Sequence, residues 1–367
     1  MSLQPKSIKS WTPVANSSPA TLEERDIPAK TPAADDVDVK VLYCGVCASD
    51  VTALDGESGP LVENAVYGHE VVGEVVAVGP EAEGIKVGDI VGIGAQSDCC
   101  RTCEFCEEHN DQFCAKNTFS ISLPFGKYQR GPADGEFPHG GFAKFWRGPS
   151  RFAVKIPSGL DPAVAAPLLC AGVTVYSPML HYGVGTRAMR VGVVGIGGLG
   201  HLAIQFAKAM GARVTAISRG TGKKDDALAL GADEYISTSS DLASDFKGHE
   251  RSLDLIICTI NPPELEASSY IPLLRPRGTF VVLGLIQKDF TLSPMALLMG
   301  ASGVAASAIG SPDELRQMFD LAVKHNIRPW ITKYNFDDVN LAIEDFRAGK
   351  PRFRFVLVNT DNGGSMA

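Results

Sequence analysis

A glycine-rich loop between a valine-rich strand and an apolar-faced helix constrains the fold of this chain more than any other feature. Residues 195–200 read Gly-Ile-Gly-Gly-Leu-Gly, with a strand predicted at 190–194 and a helix at 200–210. In that setting the first glycine permits a tight turn, the second lets a pyrophosphate approach the backbone, and the third lets the helix pack on the strand. The positive end of the helix then faces the phosphates. We therefore predict dinucleotide contacts from Gly195, Gly197, Gly198, Leu199 and Gly200.

The segment after this loop repeats the strand–helix alternation. Further strands are predicted at 213–217, 254–258 and 279–283. Helices are predicted at 223–230 and 264–274. Such alternation at short spacing favours a doubly wound parallel sheet with helices on both faces.

The first third of the chain reads differently, because Gly and Pro recur in it and no long helical period precedes residue 160. Strands are predicted there at 37–43, 70–78 and 89–93. Near the other end, a helix at 313–324 and a basic strand at 352–359 are expected to return the chain to this β-rich domain. At 367 residues the chain is long enough for two domains.

The residues after the second strand of the alternating segment decide which dinucleotide binds. NAD sites place Asp or Glu there for the ribose hydroxyls, whereas NADP sites replace that acid with groups that bind a 2′-phosphate. Here the strand is followed by Ser218, Arg219, Lys223 and Lys224, and no acid occurs before residue 225. Cations in the first turn of a helix oppose its dipole unless an anion is present. We therefore predict that these four residues bind NADP(H).

A loop at 99–115 carries four closely spaced cysteines, Cys100, Cys103, Cys106 and Cys114. Four thiolates can close a tetrahedron around one Zn²⁺ and leave no position open for chemistry. The chain has an odd total of nine cysteines and a polar start without a signal-peptide core, which favours a reducing compartment over disulfides. The loop thus predicts a structural zinc site, with Cys99 as a bystander.

A catalytic zinc would need three protein ligands and one open position. Candidates are Cys47, the adjacent pair His69 and Glu70, and Cys170. Each alone is ambiguous, because a single buried cysteine is more often a small core side chain than a ligand. Cys44 and Cys47 are also spaced like a redox pair, but no helix start is expected behind them to lower a thiol pKa.

Composition argues against several partners. The formal net charge of −8 disfavours general binding to nucleic acid or to an anionic membrane. No run is expected to be long and apolar enough to span a bilayer, and the nearest candidate, 293–310, is rich in Gly, Ala and Ser and reads as buried packing. We expect a soluble cytoplasmic protein without nucleic-acid or membrane partners.

These motifs resemble the zinc-dependent medium-chain dehydrogenase/reductase superfamily and, within it, the cinnamyl alcohol dehydrogenase group. The likeness is strongest to the fungal broad-specificity NADPH-dependent alcohol dehydrogenases. It covers about residues 35–358 and rests on stretches at 44–50, 68–70, 100–114, 165–178, 192–201, 217–219 and 351–357. The first of these stretches reads Cys-Gly-Val-Cys-Ala-Ser-Asp, and the second reads Gly-His-Glu.

The resemblance implies a GroES-like β-rich catalytic domain at residues 1–166 and 309–367, and a Rossmann domain at 167–308. It places the active site in the cleft between them. It also implies two zinc ions per chain, one catalytic and one structural. The region 293–310 resembles the edge through which the family dimerises, so a homodimer is expected.

The resemblance also assigns roles to individual residues. Cys47, His69 and Cys170 correspond to the catalytic zinc ligands, and Glu70 to a carboxylate beside the metal that can replace its water. Three further roles are implied: Asp50 bonds His69, Ser49 bonds the substrate oxygen and passes it a proton, and Thr174 borders the nicotinamide. Cys44 and Cys258 receive no role and are treated as packing.

The chain departs from the family pattern at three places. Many relatives carry histidine at the position of Thr52, which cannot act as a base near pH 7, so a shorter, water-assisted proton relay is expected. Ala48 stands where His or Gly is frequent, and the surplus length between Cys114 and Cys170 falls at 123–138 near the expected substrate entrance. His139 is interpreted as a surface-loop residue. An apolar substrate pocket is proposed from Leu61, Phe119 and Met299, which ordinary core packing explains nearly as well.

The sequence therefore predicts a zinc-dependent, NADPH-linked alcohol dehydrogenase or aldehyde reductase for aromatic, allylic (cinnamyl-type) or medium aliphatic aldehydes. Two alternatives stay open. One is NADPH-dependent reduction of an iminium or activated C=C bond in a biosynthetic pathway, which needs no proton on oxygen. The other is a non-enzymatic NADPH-binding zinc protein.

Overall fold

The structure, a computed structural model, describes residues 5–14, 17, 19–57, 61, 64–120, 139–262, 265–284 and 288–367. The chain forms two compact units. Unit 1 comprises Met1–Cys170, Gly310–Val323 and Pro329–Ala367, and unit 2 comprises Ala171–Ile309 and Lys324–Arg328. The predicted loop extension at 123–138 lies outside the described residues.

In chain order, the β-strands are β1 Ser7–Pro13, β2 Leu22–Pro28, β3 Asp36–Val46, β4 Val71–Val78, β5 Ile90–Ile93, β6 Gln96–Asp98, β7 Thr118–Phe119, β8 Phe145–Pro149, β9 Val154–Lys155, β10 Arg190–Val194, β11 Arg213–Arg219, β12 Glu234–Thr238, β13 Leu253–Cys258, β14 Leu274–Val282, β15 Gly303–Ala306, β16 Ile331–Asn335 and β17 Arg354–Val358.

The α-helices are α1 Ala48–Leu54, α2 Glu104–Glu107, α3 Pro162–Pro167, α4 Val173–His181, α5 Gly200–Ala209, α6 Lys224–Ala229, α7 Leu242–Asp245, α8 Ala267–Tyr270, α9 Pro294–Gly300, α10 Pro312–Lys324 and α11 Val339–Arg347. Short 3₁₀ turns occur at Asp111–Phe113, Ser150–Phe152, Ile271–Leu273, Phe336–Asp338 and Thr360–Asn362, and a π-helical turn at Leu168–Gly172.

Unit 1 is built on a sheet in which β16, β17, β3, β4, β5 and β9 lie side by side, with β8 also pairing with β3. All these pairs are antiparallel except that of β16 with β17. β3 is buried along nearly its whole length, because neighbouring elements cover both of its faces. Val37, Val39, Val41 and Val46 on this strand belong to the main core of the unit.

Unit 2 contains a parallel sheet with the order β12-β11-β10-β13-β14-β15. This is the doubly wound order, in which the strand order reverses direction between β10 and β13. In such sheets, ligands bind beyond the carboxyl ends of the strands at this switch point. Burial of valine and isoleucine on both faces explains why these strands read as continuous apolar runs. The predicted α/β class with a parallel sheet is confirmed.

The predicted element bounds hold best where the apolar pattern is strong. β10 lies at its predicted bounds, and α5, α6 and α10 differ from theirs by at most one residue at either end. The prediction omits β12 and β15, whose sequences are polar or made of small residues.

The predicted helix at 264–274 is wrong. Its described part contains only the four-residue α8, a 3₁₀ turn at Ile271–Leu273 and the start of β14. Pro272 explains the break, because its ring lacks an N–H and clashes with the carbonyl four residues earlier in an α-helix.

One prediction about apolar runs is also wrong. Pro162–His181, which joins α3, the π-helical turn and α4, has 20 residues and a mean hydropathy of 1.6, so it meets the length and composition criteria for a membrane span. However, 89% of its most apolar window is buried inside the protein. Packing within the fold therefore accounts for its composition. The expectation that 293–310 is buried packing is wrong, because α9 in that segment has no buried residue and exposes several apolar side chains.

Candidate functional site

Four of the predicted site residues converge in the interior of unit 1. Ligand atoms of Cys47, His69, Glu70 and Cys170 all lie within 4.8 Å of one another, and all four residues are buried. His69 Nε2 lies 3.2 Å from Cys170 Sγ. Cys47, the adjacent pair His69 and Glu70, and Cys170 come from three separate segments of the chain. The fold itself therefore brings two thiols, an imidazole and a carboxylate to one point.

Three local structures place these groups. Cys47 precedes α1 and follows β3, His69 and Glu70 precede β4, and Cys170 lies in the π-helical turn. Such single π-helical turns are frequent at functional sites. Gly68 takes a left-handed φ of 88°, and a Cβ there would come within 2.6 Å of the ring of Phe142, so the turn before His69 requires glycine.

The expectation that no helix starts behind Cys47 is wrong. Helix α1 begins at Ala48 with Cys47 as its N-cap, and the Asp50 carboxylate accepts a hydrogen bond of 3.0 Å from the Cys47 backbone N–H. A seven-residue helix shows too little apolar periodicity to be recognised.

Asp50 organises this part of the site. It is fully buried and also accepts from the backbone N–H of Gly68 at 2.9 Å and from His69 Nδ1 at 3.0 Å. A carboxylate can only accept, so Nδ1 of His69 carries a proton, and Nε2 faces the Cys170 thiol. This is the arrangement in which a histidine ligates a metal with its tautomer set by a second residue.

Arg354 of β17 is a further residue of this cluster that the sequence did not predict. Its side chain is 3% exposed, Nη2 donates to Glu70 Oε1, and Nη1 lies 3.8 Å from Cys47 Sγ. An arginine in the otherwise apolar stretch 353–358 was the available signal, because a charged residue on a buried strand is rare unless it is paired.

Burial and neighbouring charges lower the pKa of one group in this cluster and raise the pKa values of others. The hydrogen bond from Cys170 lowers the pKa of the Cys47 thiol, assisted by Arg354 and His69. Burial raises the pKa of Glu70 to about 8, although Arg354 opposes this. Burial lowers the pKa of His69, but Asp50 and Cys47 together outweigh it, and the pKa is raised.

The donor set fits a divalent metal ion. Four acidic groups (two thiols and two carboxyls) are buried together with a single arginine, and uncompensated negative charge is costly in the protein interior. Oε2 of Glu70 has no hydrogen-bond partner among the described residues. Two thiolates, one imidazole and a nearby carboxylate match the ligands of zinc sites.

The other predicted residues of this region lie at different distances from the cluster. Ser49 Oγ is 3.9 Å from Cys47 Sγ, which places its hydroxyl at the edge of the cluster. Thr52 is on the same helix. Leu61 packs against the core of unit 1, Phe119 is half-buried in β7, and Met299 of unit 2 is 69% exposed on α9.

The four-cysteine loop forms a second cluster in unit 1. The sulfurs of Cys100, Cys103, Cys106 and Cys114 all lie within 4.8 Å of one another. Two of the separations are 3.9 Å (Cys100–Cys106) and 3.5 Å (Cys103–Cys106). A tetrahedral zinc with Zn–S bonds of about 2.3 Å requires S–S separations of roughly 3.8 Å. The cluster therefore fits one zinc ion.

Cys99 is engaged differently from its neighbours. Its thiol donates to Asp111 Oδ1 at 3.3 Å, and Arg151 also bonds Asp111. Cys99, Cys106 and Asp111 lie close enough to be grouped as potential ligands, but the guanidinium on Asp111 disfavours a cation there.

The glycine-rich loop of unit 2 lies at the carboxyl end of β10. A Cβ on Gly195 would come within 2.4 Å of Ile260, and one on Gly200 within 1.8 Å of the Gly195 carbonyl oxygen. Among the residues that the structure describes, a Cβ on Gly197 would meet nothing within 4 Å. Internal packing thus explains the first and third glycines, whereas the open space at Gly197 fits the close approach of a dinucleotide phosphate.

Cations cluster at the end of β11, which closes with Ser218 and Arg219, and just before α6, where Lys223 is the N-cap. Lys223 Nζ donates to the carbonyl oxygen of Ile196 in the glycine-rich loop at 2.7 Å. Burial lowers the pKa of Lys223, and the nearby Arg219 acts in the same direction. Tyr235 of β12 donates to the Gly220 carbonyl at 2.7 Å and so fixes the turn between them. Two adjacent cations beside a glycine-rich loop suit a phosphate group.

The remaining predicted residues lie elsewhere. Thr174 is a buried residue of α4, and Lys224 begins α6 with its side chain exposed. His139 Nε2 donates to the Pro28 carbonyl at 3.1 Å, which agrees with its interpretation as a loop residue. Cys258 ends β13 inside the core of unit 2.

Comparison with known proteins identifies the family. The model described as "Alcohol dehydrogenase GroES-like domain" matches residues 33–158, and the model described as "Zinc-binding dehydrogenase" matches residues 198–324. Cinnamyl alcohol dehydrogenase 1 of Capsicum annuum is 40% identical over 325 residues, which cover 88% of each protein.

Solved structures agree. A cinnamyl alcohol dehydrogenase from Sorghum bicolor aligns with a TM-score of 0.88 and 36% identity over 99% of both chains. Cinnamyl alcohol dehydrogenase of Helicobacter pylori, solved as a complex with NADP(H), aligns with a TM-score of 0.83 and 31% identity over 96% of this chain and 98% of that chain. The predicted resemblance and the GroES-like and Rossmann domains are confirmed, and the chain belongs to the zinc-binding alcohol dehydrogenases of the medium-chain dehydrogenase/reductase superfamily, with cinnamyl alcohol dehydrogenases among its relatives.

Proposed function

We propose that this zinc-type alcohol dehydrogenase is an NADPH-linked aldehyde reductase for aromatic, allylic or medium aliphatic aldehydes. The observation that carries the proposal is the buried cluster of Cys47, His69, Glu70 and Cys170, whose ligand atoms lie within 4.8 Å of one another. A cluster of that composition in an alcohol dehydrogenase fold suits a catalytic metal with one open position.

In this proposal Cys47, His69 and Cys170 hold the catalytic zinc, and the four-cysteine loop holds a structural zinc. When bound, zinc polarises a carbonyl oxygen as a Lewis acid and NADPH supplies a hydride. Glu70 lies beside the ligands and is held there by Arg354. The domain assignment that accompanies the proposal is residues 1–166 and 309–367 for catalysis and 167–308 for the cofactor.

The chain's own residues orient the site and move the proton. Asp50 holds the proton of His69 on Nδ1, so that Nε2 stays available as a ligand atom. Arg354 compensates the negative charge of Glu70 and of the Cys47 thiolate. Ser49, at 3.9 Å from Cys47 Sγ, would donate its hydroxyl proton to the substrate oxygen as the carbonyl is reduced, and would take up a replacement proton from solvent through the water-assisted relay.

NADP(H) is the proposed cofactor because residues 218–224 contain Ser218, Arg219, Lys223 and Lys224 and no acid. The 2′-phosphate would be bound by the serine hydroxyl and by the neighbouring cations. The complex of the Helicobacter pylori relative with NADP(H) supports this choice.

We also propose a cytoplasmic homodimer that pairs through the outer edge of unit 2. β15 is the last strand of its sheet, so its outer edge carries unpaired backbone groups. The adjacent helix α9 exposes Met295, Leu298 and Met299 at 62%, 73% and 69%. An apolar helix face next to an open sheet edge suits a second copy of this chain.

The test is NADPH oxidation with cinnamaldehyde, benzaldehyde and hexanal, on protein of measured zinc content. We expect turnover that Cys47→Ala abolishes. Two outcomes would overturn the proposal: full zinc with turnover on iminium or activated C=C substrates alone, which the Thr52 position would explain, or NADPH binding with no turnover on any substrate.

A further inference from the structure

We propose that His201 is a positioning residue that fixes the glycine-rich loop in the conformation that binds the cofactor phosphates. His201 is the second residue of α5, and its side chain is fully buried. No sequence motif assigns it a role. The inference rests on the proposed function, because it concerns the same cofactor site.

The carbonyl oxygen of Gly197 accepts two hydrogen bonds from His201. The backbone N–H of His201 lies 3.1 Å from this oxygen, and Nδ1 of the imidazole lies 2.9 Å from it. A carbonyl can only accept, so Nδ1 carries the proton. An ordinary helix provides the first of these bonds only, and the side chain provides the second.

The second bond fixes the orientation of a peptide group. The peptide between Gly197 and Gly198 is planar and trans, so its N–H points opposite to its carbonyl. With the carbonyl held toward α5, the Gly198 N–H points away from the helix. In the described parts of the chain, no group accepts a hydrogen bond from that N–H.

Two adjacent glycines would otherwise make this peptide free to turn. Glycine populates more backbone conformations than any other residue, and ordering it on binding costs affinity. The bond from His201 removes that freedom before the cofactor arrives. It leaves the Gly198 N–H directed away from α5, and among the described residues a Cβ on the neighbouring Gly197 would meet nothing within 4 Å.

Two amide replacements separate this role from simple packing. In His201→Asn the side-chain N–H takes the place of Nδ1, whereas in His201→Gln it takes the place of Nε2. NADPH dissociation constants would be measured by fluorescence titration of the zinc-loaded protein, alongside kcat at saturating NADPH. We expect Asn to bind within about threefold of wild type. Gln and Ala should bind roughly tenfold more weakly, the loss expected for one hydrogen bond, with kcat little changed.

Equal binding by wild type and all three variants would overturn the inference alone, and so would equal weakening of Asn and Gln. Failure of wild type to bind either NADPH or NADH would contradict the proposed function and overturn the inference with it. ¹⁵N spectra of wild type with NADPH bound provide a measurement that needs no variant. Nδ1 of His201 should carry a proton, and an unprotonated Nδ1 would overturn the proposal.

Discussion

Arg354 and Glu70 form a buried ion pair, in which Nη2 of the arginine donates to Oε1 of the carboxylate. The two residues are separated by 284 positions in the sequence. β17 and the start of β4 bring them together beside Cys47, and Arg354 Nη1 also lies 3.8 Å from the Cys47 sulfur. The pair therefore has two roles: it holds β17 against the segment before β4 in unit 1, and its arginine offsets negative charge at the candidate metal site.

Replacing Arg354 with methionine should destabilise the protein strongly, because Glu70 would remain buried without its partner. The expected loss in free energy of unfolding is about 3–5 kcal/mol, measured by urea denaturation of the zinc-loaded protein. Adding Glu70→Gln should recover most of the loss. Arg316→Met serves as the control, since Arg316 forms an exposed pair with Asp313 and should cost less than about 1 kcal/mol. A loss at Arg354 no larger than at Arg316 would contradict the prediction.

Asp50→Asn should weaken zinc binding at the catalytic cluster by roughly 10–100-fold. The amide can still accept one hydrogen bond, but it no longer requires the proton of His69 to be on Nδ1. Zinc affinity would be measured by competition with a chelator. The quantity followed would be the loss of the first zinc ion that the chelator removes. Asp55→Asn is the matched control, because Asp55 follows the same helix and, among the described residues, its side chain pairs only with Arg347. Unchanged zinc affinity in Asp50→Asn would refute the positioning role.

How much the sequence predicted depends on the range of the interaction. The glycine-rich loop, β10 and α5 were predicted closely, because local glycine spacing and apolar periodicity specify them. The convergence of Cys47, His69 and Cys170 was expected from a family resemblance alone, since no local pattern places them together. Arg354 and His201 were missed because their roles depend on contacts that appear only after folding.

The two cysteine clusters should lose zinc independently. Wild type should contain about two zinc ions per chain, and Cys47→Ala and Cys103→Ser about one each. Only Cys103→Ser should lower the melting temperature markedly, because a closed four-thiolate site contributes to folding. Cys99→Ser should keep both ions, since Cys99 bonds Asp111. Elemental analysis with thermal unfolding checks this, and loss of both ions in either single variant would argue against separate sites.

Combining Ser218→Asp with Arg219→Ala should shift the preference from NADPH toward NADH. The new carboxylate would repel the 2′-phosphate and accept hydrogen bonds from the ribose, while one cation is removed. We expect kcat/KM for NADPH to fall by roughly 10–100-fold, the loss for one or two charge-assisted hydrogen bonds. Lys247→Ala removes an exposed cation elsewhere in unit 2 and should change neither the cofactor preference nor kcat/KM for NADPH. If NADPH preference survives the double substitution, the account of phosphate recognition is wrong.

Leu298→Glu should convert the proposed dimer to a monomer. Leu298 is 73% exposed on α9, next to the sheet edge at β15, and burying a new carboxylate in an apolar interface is unfavourable. Leu341→Glu is the matched control, because Leu341 is also exposed, at 49%, but lies on α11 of unit 1. Light scattering after size exclusion should give a dimer for wild type and Leu341→Glu, and a monomer of 39.0 kDa for Leu298→Glu. A wild-type monomer would refute the dimer itself, whereas a dimer in Leu298→Glu would place its interface on another surface.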